Sequence, residues 1–307
     1  MLSLLVPSWY IGNYSLKLNE VTIPCDKVEE SVKIAVISDL HGDSFGKDNR
    51  KITNLIVENK PDLIFVLGDM YTRNRYDKID FAVGFVERLS EIAQTFVVTG
   101  DHDTDDEYAD KIRLLQNVQL LDYKKTDLTV KGNDISIYGI NNVYFTPSFD
   151  LHNEFDEPDP ERLNILLAHL PETERYEGFG VDLIFSGDTH GGLIRLPLLG
   201  PIYYNGYLLP KLTYPNRMTD KGLYSFDNKQ IFVTSGLGDY PVPLRFLNRP
   251  EVCIITLIKE TDKWATPTNF LLKCVIIFSK TEQIPRAKRF VLIGRTVSLP
   301  TLRSFSV

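Results

Sequence analysis

Hydrophobic residues fall in short blocks along the chain, each closed by glycine or a polar residue. The blocks at 32–38, 62–68, 95–99, 164–168, 182–186, 231–234 and 252–257 have the length and near-continuous apolar character of strands buried on both faces. The stretch 135–140 reads as a further strand. Apolar positions at helical spacing predict helices over 49–59, 81–92 and 106–115. Strands alternating with helices favour a layered α/β fold. No internal repeat or low-complexity tract interrupts the pattern.

Five of the predicted strands end on residues that bind metals. Val36-Ile37-Ser38 runs into Asp39-Leu40-His41, and Phe65-Val66-Leu67 into Gly68-Asp69. Phe96-Val97-Val98-Thr99 runs into Gly100-Asp101-His102-Asp103, Leu166-Leu167-Ala168 into His169, and Ile184-Phe185-Ser186 into Gly187-Asp188-Thr189-His190. Loops at the carboxyl ends of neighbouring strands converge on one crevice in such folds. Carboxylates and imidazoles gathered there would repel one another without a cation, so bound metal is the simplest explanation. Histidine usage agrees: of five histidines, four lie in these loops, and the fifth, His152, reads as a solvated residue of an acidic loop. Gly68, Gly100 and Gly187 are expected to supply sharp turns that aim the ligands inward.

Composition narrows the function classes. The 307 residues, 43% apolar and 24% charged, suit one large soluble domain or at most two. A net charge of −7 argues against a nucleic-acid coat, and no nucleic-acid partner is expected. The charge is uneven: residues 263–307 hold eight Lys or Arg against a single acid, Glu282, a balance of +7 that leaves −14 on residues 1–262. The expected organisation is a lead-in over 1–31, a main domain over 32–260 and a basic C-terminal appendage over 261–307. Cys25, Cys253 and Cys274 are scattered and read as buried free thiols. The apolar runs 1–12 and 271–278 are too short to span a membrane, and the first makes a poor signal peptide. The expectation is a cytoplasmic protein with at most weak contact to a membrane surface, the basic stretch 273–303 being the motive for that contact.

The strand-end residues resemble the calcineurin-like metallophosphoesterase family, whose pattern is D-x-H, G-D, G-N-H-[DE], H and G-H-x-H. Order and spacing fit, with 28 residues from His41 to Asp69 and 32 from Asp69 to Asp101, and the likeness covers roughly 32–260. Gly191-Gly192-Leu193-Ile194-Arg195-Leu196-Pro197, Pro243-Leu244-Arg245-Phe246 and Pro250-Glu251 are similar to the bacterial branch of YkuE-type phosphoesterases and UDP-2,3-diacylglucosamine pyrophosphatases. The resemblance implies an α/β/β/α four-layer sandwich and two divalent ions. Asp39, His41 and His190 would hold the first, Asp101, His169 and Asp188 the second, and Asp69 would bridge. His102 would be the acid beside the leaving group, and Asp103 would orient it. The implied reaction is hydrolysis of a phosphodiester or pyrophosphate-type bond by a dimetal-activated hydroxide, on a phosphorylated small molecule or a nucleotide-linked lipid.

Two positions depart from the pattern: Asp101 stands where the family usually has Asn, and Asp188 where it usually has His. Each puts an anion in place of a neutral ligand. Four carboxylates then offset two divalent ions, which favours oxygen-preferring Mn²⁺, with Mg²⁺, Fe²⁺ or Zn²⁺ as alternatives. A dianionic monoester is disfavoured more than a singly charged diester. The alternatives are a metal-binding scaffold of the same fold with weak or no turnover, and a phosphoprotein phosphatase. Segment 203–224, rich in Tyr, Leu and Pro, lines a lipid-facing cleft on one reading and is a plain surface loop on the other.

Overall fold

A computed structural model of the chain describes residues 2–141, 149–204, 206–213 and 219–261. The basic appendage, apart from Thr261, therefore lies outside the described residues, as do Cys274 and the runs at 271–278 and 273–303.

Helix α1 (Leu2–Tyr14) leads into strand β1 (Lys17–Cys25). Then follow β2 (Val32–Ile37), α2 (Arg50–Asn59), β3 (Leu63–Val66), α3 (Ile79–Ser90), β4 (Gln94–Val97), α4 (Asp106–Arg113) and β5 (Val118–Leu120). The second half opens with β6 (Lys124–Val130), β7 (Asn133–Ile140), α5 (Leu151–Glu154), β8 (Leu163–Ala168), α6 (Thr173–Tyr176) and β9 (Leu183–Ser186). Two small hairpins pair β10 (Arg195–Leu196) with β11 (Gly200–Pro201) and β12 (Tyr203–Tyr204) with β13 (Tyr207–Leu208). Strands β14 (Gly222–Phe226), β15 (Lys229–Val233) and β16 (Glu251–Lys259) complete the described fold.

The strands form two six-stranded sheets, ordered β1-β16-β2-β3-β4-β5 and β14-β15-β9-β8-β7-β6. Strands β2 to β5 run parallel in the first, and β7, β8, β9 and β15 in the second. Side chains alternate faces along each strand, which builds three layers of core. Ile34, Val36, Leu63, Phe65 and Phe96 meet Ile135, Ile165, Leu167, Phe185 and Phe232 between the sheets. The opposite face of the first sheet, including Ala35, Ile37, Ile64 and Val66, packs on Ile52 and Ile56 of α2, Phe85 and Leu89 of α3, and Ile112 of α4. The outer face of the second sheet, with Ile140, Leu166, Ile184 and Val233, is covered by Leu151, Tyr176 and Phe179. The architecture is the mixed α/β fold of two sheets expected; among the described residues, the outer face of the second sheet carries the single turns α5 and α6 and their loops. Burial of each such aliphatic or aromatic side chain contributes roughly 1.5–3 kcal/mol.

The lead-in expected over 1–31 contributes an ordered edge to this frame. Strand β1 is half-buried and carries Lys17, Asn19 and Glu20, so no apolar block marks it. Its strand state rests on a nine-residue parallel register with β16, from Lys17↔Glu251 to Cys25↔Lys259, a pairing between distant parts of the chain. Among the described residues, no helix is long and apolar enough to cross a membrane.

Candidate metal centre

Five ligand-type residues at the strand ends hold left-handed backbone: Asp39 (φ 53), His41 (φ 52), Asp69 (φ 55), Asp188 (φ 67) and His190 (φ 49). This conformation costs a non-glycine residue about 1–2 kcal/mol, and Asp and His are among the residues that tolerate it best. Hydrogen bonds between the loops hold it in place. Asp39 N–H donates to Gly68 O at 3.0 Å, His41 N–H to Asp69 O at 2.9 Å, and Gly238 N–H to Asp39 O at 2.5 Å. Of the three glycines expected to supply turns, only Gly68 has positive φ (+92). Gly187 serves close approach instead: a Cβ there would sit 2.0 Å from Ser38 Oγ and 2.7 Å from Asp39 Oδ2. A Cβ on Gly100 would likewise meet Asp69 Oδ1, at 2.2 Å.

All seven residues expected as ligands converge. Their donor atoms form groups within 4.8 Å of one another, among them Asp39–His41–His190, Asp39–Asp69–His169 and Asp101–His169–Asp188. His169 bridges the sheets: its Nδ1 lies 2.7 Å from Leu67 O, and since a carbonyl only accepts, Nδ1 carries the proton. Nε2 therefore turns its lone pair inward, 3.4 Å from Asp69 Oδ2 and 3.8 Å from both Asp101 Oδ1 and Asp188 Oδ1. His41 Nε2 and His190 Nε2 face each other at 3.1 Å. One oxygen of each buried aspartate is anchored to backbone: Asp39 Oδ1 accepts from Asp188 N–H at 3.1 Å, and Asp69 Oδ1 from His102 N–H at 2.9 Å.

The remaining donor atoms fit a cation. Asp39 Oδ2 and His169 Nε2 are buried without a hydrogen-bond partner. Such orphaned groups are costly, and a divalent ion satisfies them. Burial pushes Asp39 up to about 6 and Asp69 up to about 7, and raises Asp188 as well. Burial opposes charge on His169, yet Asp69, Asp39 and Asp188 outweigh it and raise its pKa well above the ordinary value. Burial lowers His190 to about 3 and holds His41 lower still. The cage is an arrangement of charges that protein alone neutralises poorly, with His41 and His190 kept neutral for coordination while His169 takes up a proton from its carboxylate surroundings.

His102 lies at the mouth of the cage, its Nε2 3.8 Å from Asp101 Oδ2. Its orienting partner is not Asp103. That carboxylate is fully buried and accepts from Met70 N–H at 2.9 Å and from Gly100 N–H at 2.5 Å, so it ties the loop after β3 to the loop after β4. The backbone N–H of Arg73 takes the expected role, donating to His102 Nδ1 at 3.1 Å. This leaves the proton of a neutral His102 on Nε2, facing the cavity. The Arg73 guanidinium lies 3.6 Å from Asp101 Oδ2 and also donates to the Asp101 carbonyl.

Further residues of the site carry no ligand signature. The Tyr240 ring stacks on His41 (centroids 4.8 Å apart, 19° between planes) and sets its edge against His102 at 4.4 Å. Arg245 is buried behind His190. Both fall in the stretch 237–251, where the Pro-Leu-Arg-Phe motif is legible in the sequence but the burial of Arg245 is not. Asp69, Asp101, His102, Asp188 and His190 form the floor of a cavity of about 540 Å³ whose walls include Leu193, Ile194, Ile202, Tyr203, Tyr204 and Leu244. Within segment 203–224, Tyr203 and Tyr204 thus line a cleft and Leu208 and Leu212 are exposed. His152 lies away from the cage, paired with Asp150 and Glu157.

A family model described as calcineurin-like phosphoesterase matches residues 32–192. The chain is similar to the uncharacterized metallophosphoesterase YkuE of Bacillus subtilis, with 27% identity over 82% of this chain and 89% of the relative. It is similar to phosphodiesterase YaeI of Escherichia coli, with 29% identity over 74% of this chain and 82% of the relative. With UDP-2,3-diacylglucosamine pyrophosphatase LpxG of Chlamydia muridarum it shares 24% identity over 75% of this chain and 84% of the relative.

Proposed function

The chain belongs to the calcineurin-like phosphoesterase family, whose members are dimetal-dependent hydrolases, and on that premise we propose that it hydrolyses a phosphodiester or pyrophosphate-type bond in a substrate bearing an apolar group. The observation that carries this reading is the cavity: ligand carboxylates and imidazoles make its floor, and Leu193, Ile194, Ile202 and Leu244 its walls. Tyr203, Leu208 and Leu244 also leave apolar surface exposed, which suits a lipid-linked molecule. The likeness to phosphodiesterase YaeI and to UDP-2,3-diacylglucosamine pyrophosphatase LpxG points the same way.

Asp39, His41 and His190 would hold a first ion, Asp101, His169 and Asp188 a second, and Asp69 would serve both. When bound, the two ions supply Lewis-acid polarisation of the phosphoryl group and acidify a water molecule. The second set offers three carboxylates and one imidazole, a donor mix that favours Mn²⁺ over Zn²⁺. Because Arg73 N–H occupies Nδ1, a neutral His102 presents its Nε2–H to the cavity, where it would hydrogen-bond the leaving oxygen and stabilise the charge that develops there. The Tyr240 ring shields His41 and His102 from solvent on one side. The apolar walls bind the remainder of the substrate and orient the phosphoryl group.

The test is hydrolysis of bis-p-nitrophenyl phosphate, p-nitrophenyl phosphate and a sugar-nucleotide lipid by the parent chain and by His102→Ala with added Mn²⁺. The diester and the pyrophosphate should be preferred to the monoester. A zinc-replete protein that prefers the monoester would overturn the substrate reading. Absence of metal-dependent activity on every ester would favour the scaffold alternative, which the additional anions Asp101 and Asp188 motivate.

A further inference from the structure

Arg245 is fully buried, an expensive position for a guanidinium unless all its donors are used. Its Nε donates to Gly238 O at 3.1 Å and Asp239 Oδ1 at 2.8 Å, and its Nη1 to Asn248 O at 3.4 Å. Its Nη2 donates to Ser235 O at 2.8 Å and Gly238 O at 2.6 Å, and lies 3.3 Å from His190 Nδ1. Nη2 has two hydrogens, and the two carbonyls take both. His190 Nδ1, 3.3 Å from Nη2, is left no Arg245 hydrogen to accept, which favours the tautomer that carries the proton on Nδ1, beside the Gly238 carbonyl. That choice of tautomer leaves His190 Nε2 with a free lone pair facing His41 Nε2 and Asp39.

The backbone of Arg245 is itself clamped by helix α1. Asn13 Oδ1 accepts from Arg245 N–H at 2.7 Å, and Asn13 Nδ2 donates to Arg245 O at 3.3 Å and to Trp9 O at 2.6 Å. Gly12 brings the helix close enough that a Cβ there would lie 2.4 Å from Arg245 O. Trp9 Nε1 adds a bond to Pro243 O at 2.7 Å.

We propose that Arg245 is a positioning residue for the first metal, acting through the Gly238 carbonyl on the His190 tautomer, and that helix α1 seats it through Asn13. The inference rests on the two-metal reading above. Removing groups that orient a ligand imidazole typically weakens metal binding 10- to 100-fold. Loss of Arg245 should therefore fall on the first ion and spare the second, whose imidazole, His169, is held by Leu67 O.

The experiment titrates the metal-free full-length chain with Mn²⁺, followed by calorimetry and by electron paramagnetic resonance, with thermal midpoints recorded alongside. The parent should bind two ions per chain and show an exchange-coupled pair. Arg245→Met should weaken one site 10- to 100-fold, leave the other unchanged, and replace the coupled signal by that of a single bound ion at intermediate Mn²⁺. Arg245→Lys keeps the charge but cannot span the Ser235 and Gly238 carbonyls, so it should behave like Arg245→Met. Asn13→Leu should move the same site in the same direction by a smaller factor. Equal weakening of both sites, or none in either, overturns the proposal. If Arg245→Met does not fold, Arg245→Lys and Asn13→Leu decide by the same criterion. A parent that binds fewer than two ions instead removes the two-metal reading, a result separate from either outcome for the variants.

Discussion

His169 Nδ1 and Leu67 O, 2.7 Å apart, join the two sheets at the bottom of the metal centre. Leu67 follows strand β3 of the first sheet, and His169 follows β8 of the second. One hydrogen bond thus both crosses between the sheets and sets the tautomer of the His169 imidazole. His169→Ala should lose the second ion and reduce kcat by at least about 100-fold while the first ion still binds. Metal content and turnover measured together check this; two bound ions in the variant would contradict it.

His102→Ala should lower kcat by about 10²- to 10³-fold on a substrate with a poor leaving group and far less on a nitrophenyl ester, whose departing oxygen spreads its charge into the ring. Rates on an alkyl and a nitrophenyl diester, compared in parent and variant, make the measurement. Equal losses on both would argue that His102 acts by position alone.

Leu244 lines the cavity and is half exposed, so Leu244→Asp should fold normally. Losing one leucine's worth of apolar contact is roughly 1.5–3 kcal/mol. The variant should therefore show kcat/KM lower by about 10- to 100-fold on an acylated sugar-nucleotide and unchanged on bis-p-nitrophenyl phosphate. A uniform loss across both substrates would remove the role assigned to the apolar wall.

The metal-free protein should lose stability as pH rises above about 6.5. Burial raises Asp69 to about 7, and the surrounding carboxylates lift His169 well above its usual value. Both groups bind protons more tightly folded than unfolded, so the stability they confer at low pH is lost as pH rises through their folded values. His41, His190 and His102 have the opposite sign, since lowered pKa values make stability grow with pH, but that gain levels off as pH passes the ordinary histidine pKa of about 6.5. Above it the falling contributions outweigh the fading gain, and a fall of about 1 kcal/mol lowers Tm by roughly 2–4 °C. Saturating Mn²⁺ displaces the protons and should flatten the slope. Melting curves from pH 6.5 to 8.5, with and without Mn²⁺, read this out; a rising metal-free curve would contradict it.

The contrast between Asp103 and Arg73 shows how far the sequence could be read. Asp103 follows His102, and the family resemblance implied that its carboxylate orients the imidazole. It instead caps Met70 N–H and Gly100 N–H, because the side chain turns into the core at the β3–β4 junction. The group that reaches His102 is the backbone of Arg73, 29 residues away. Arg73 also sets a cation 3.6 Å from Asp101, one of the two anions that depart from the family pattern, and so offsets part of the cage charge.

By itself the sequence determined the buried central strands, the α/β class and which residues converge at the candidate metal centre. Those features are local: an apolar block specifies a buried strand, and a ligand placed just after it inherits its position from that strand. The tertiary structure decided what distant contacts impose. It set the edge strand β1, which exists through its register with β16, the tautomers of His169, His190 and His102, and the burial of Arg245 under helix α1. Each depends on a backbone carbonyl or N–H supplied from elsewhere in the chain. Every peptide unit carries the same two groups, so residue identity alone cannot tell which of them arrives.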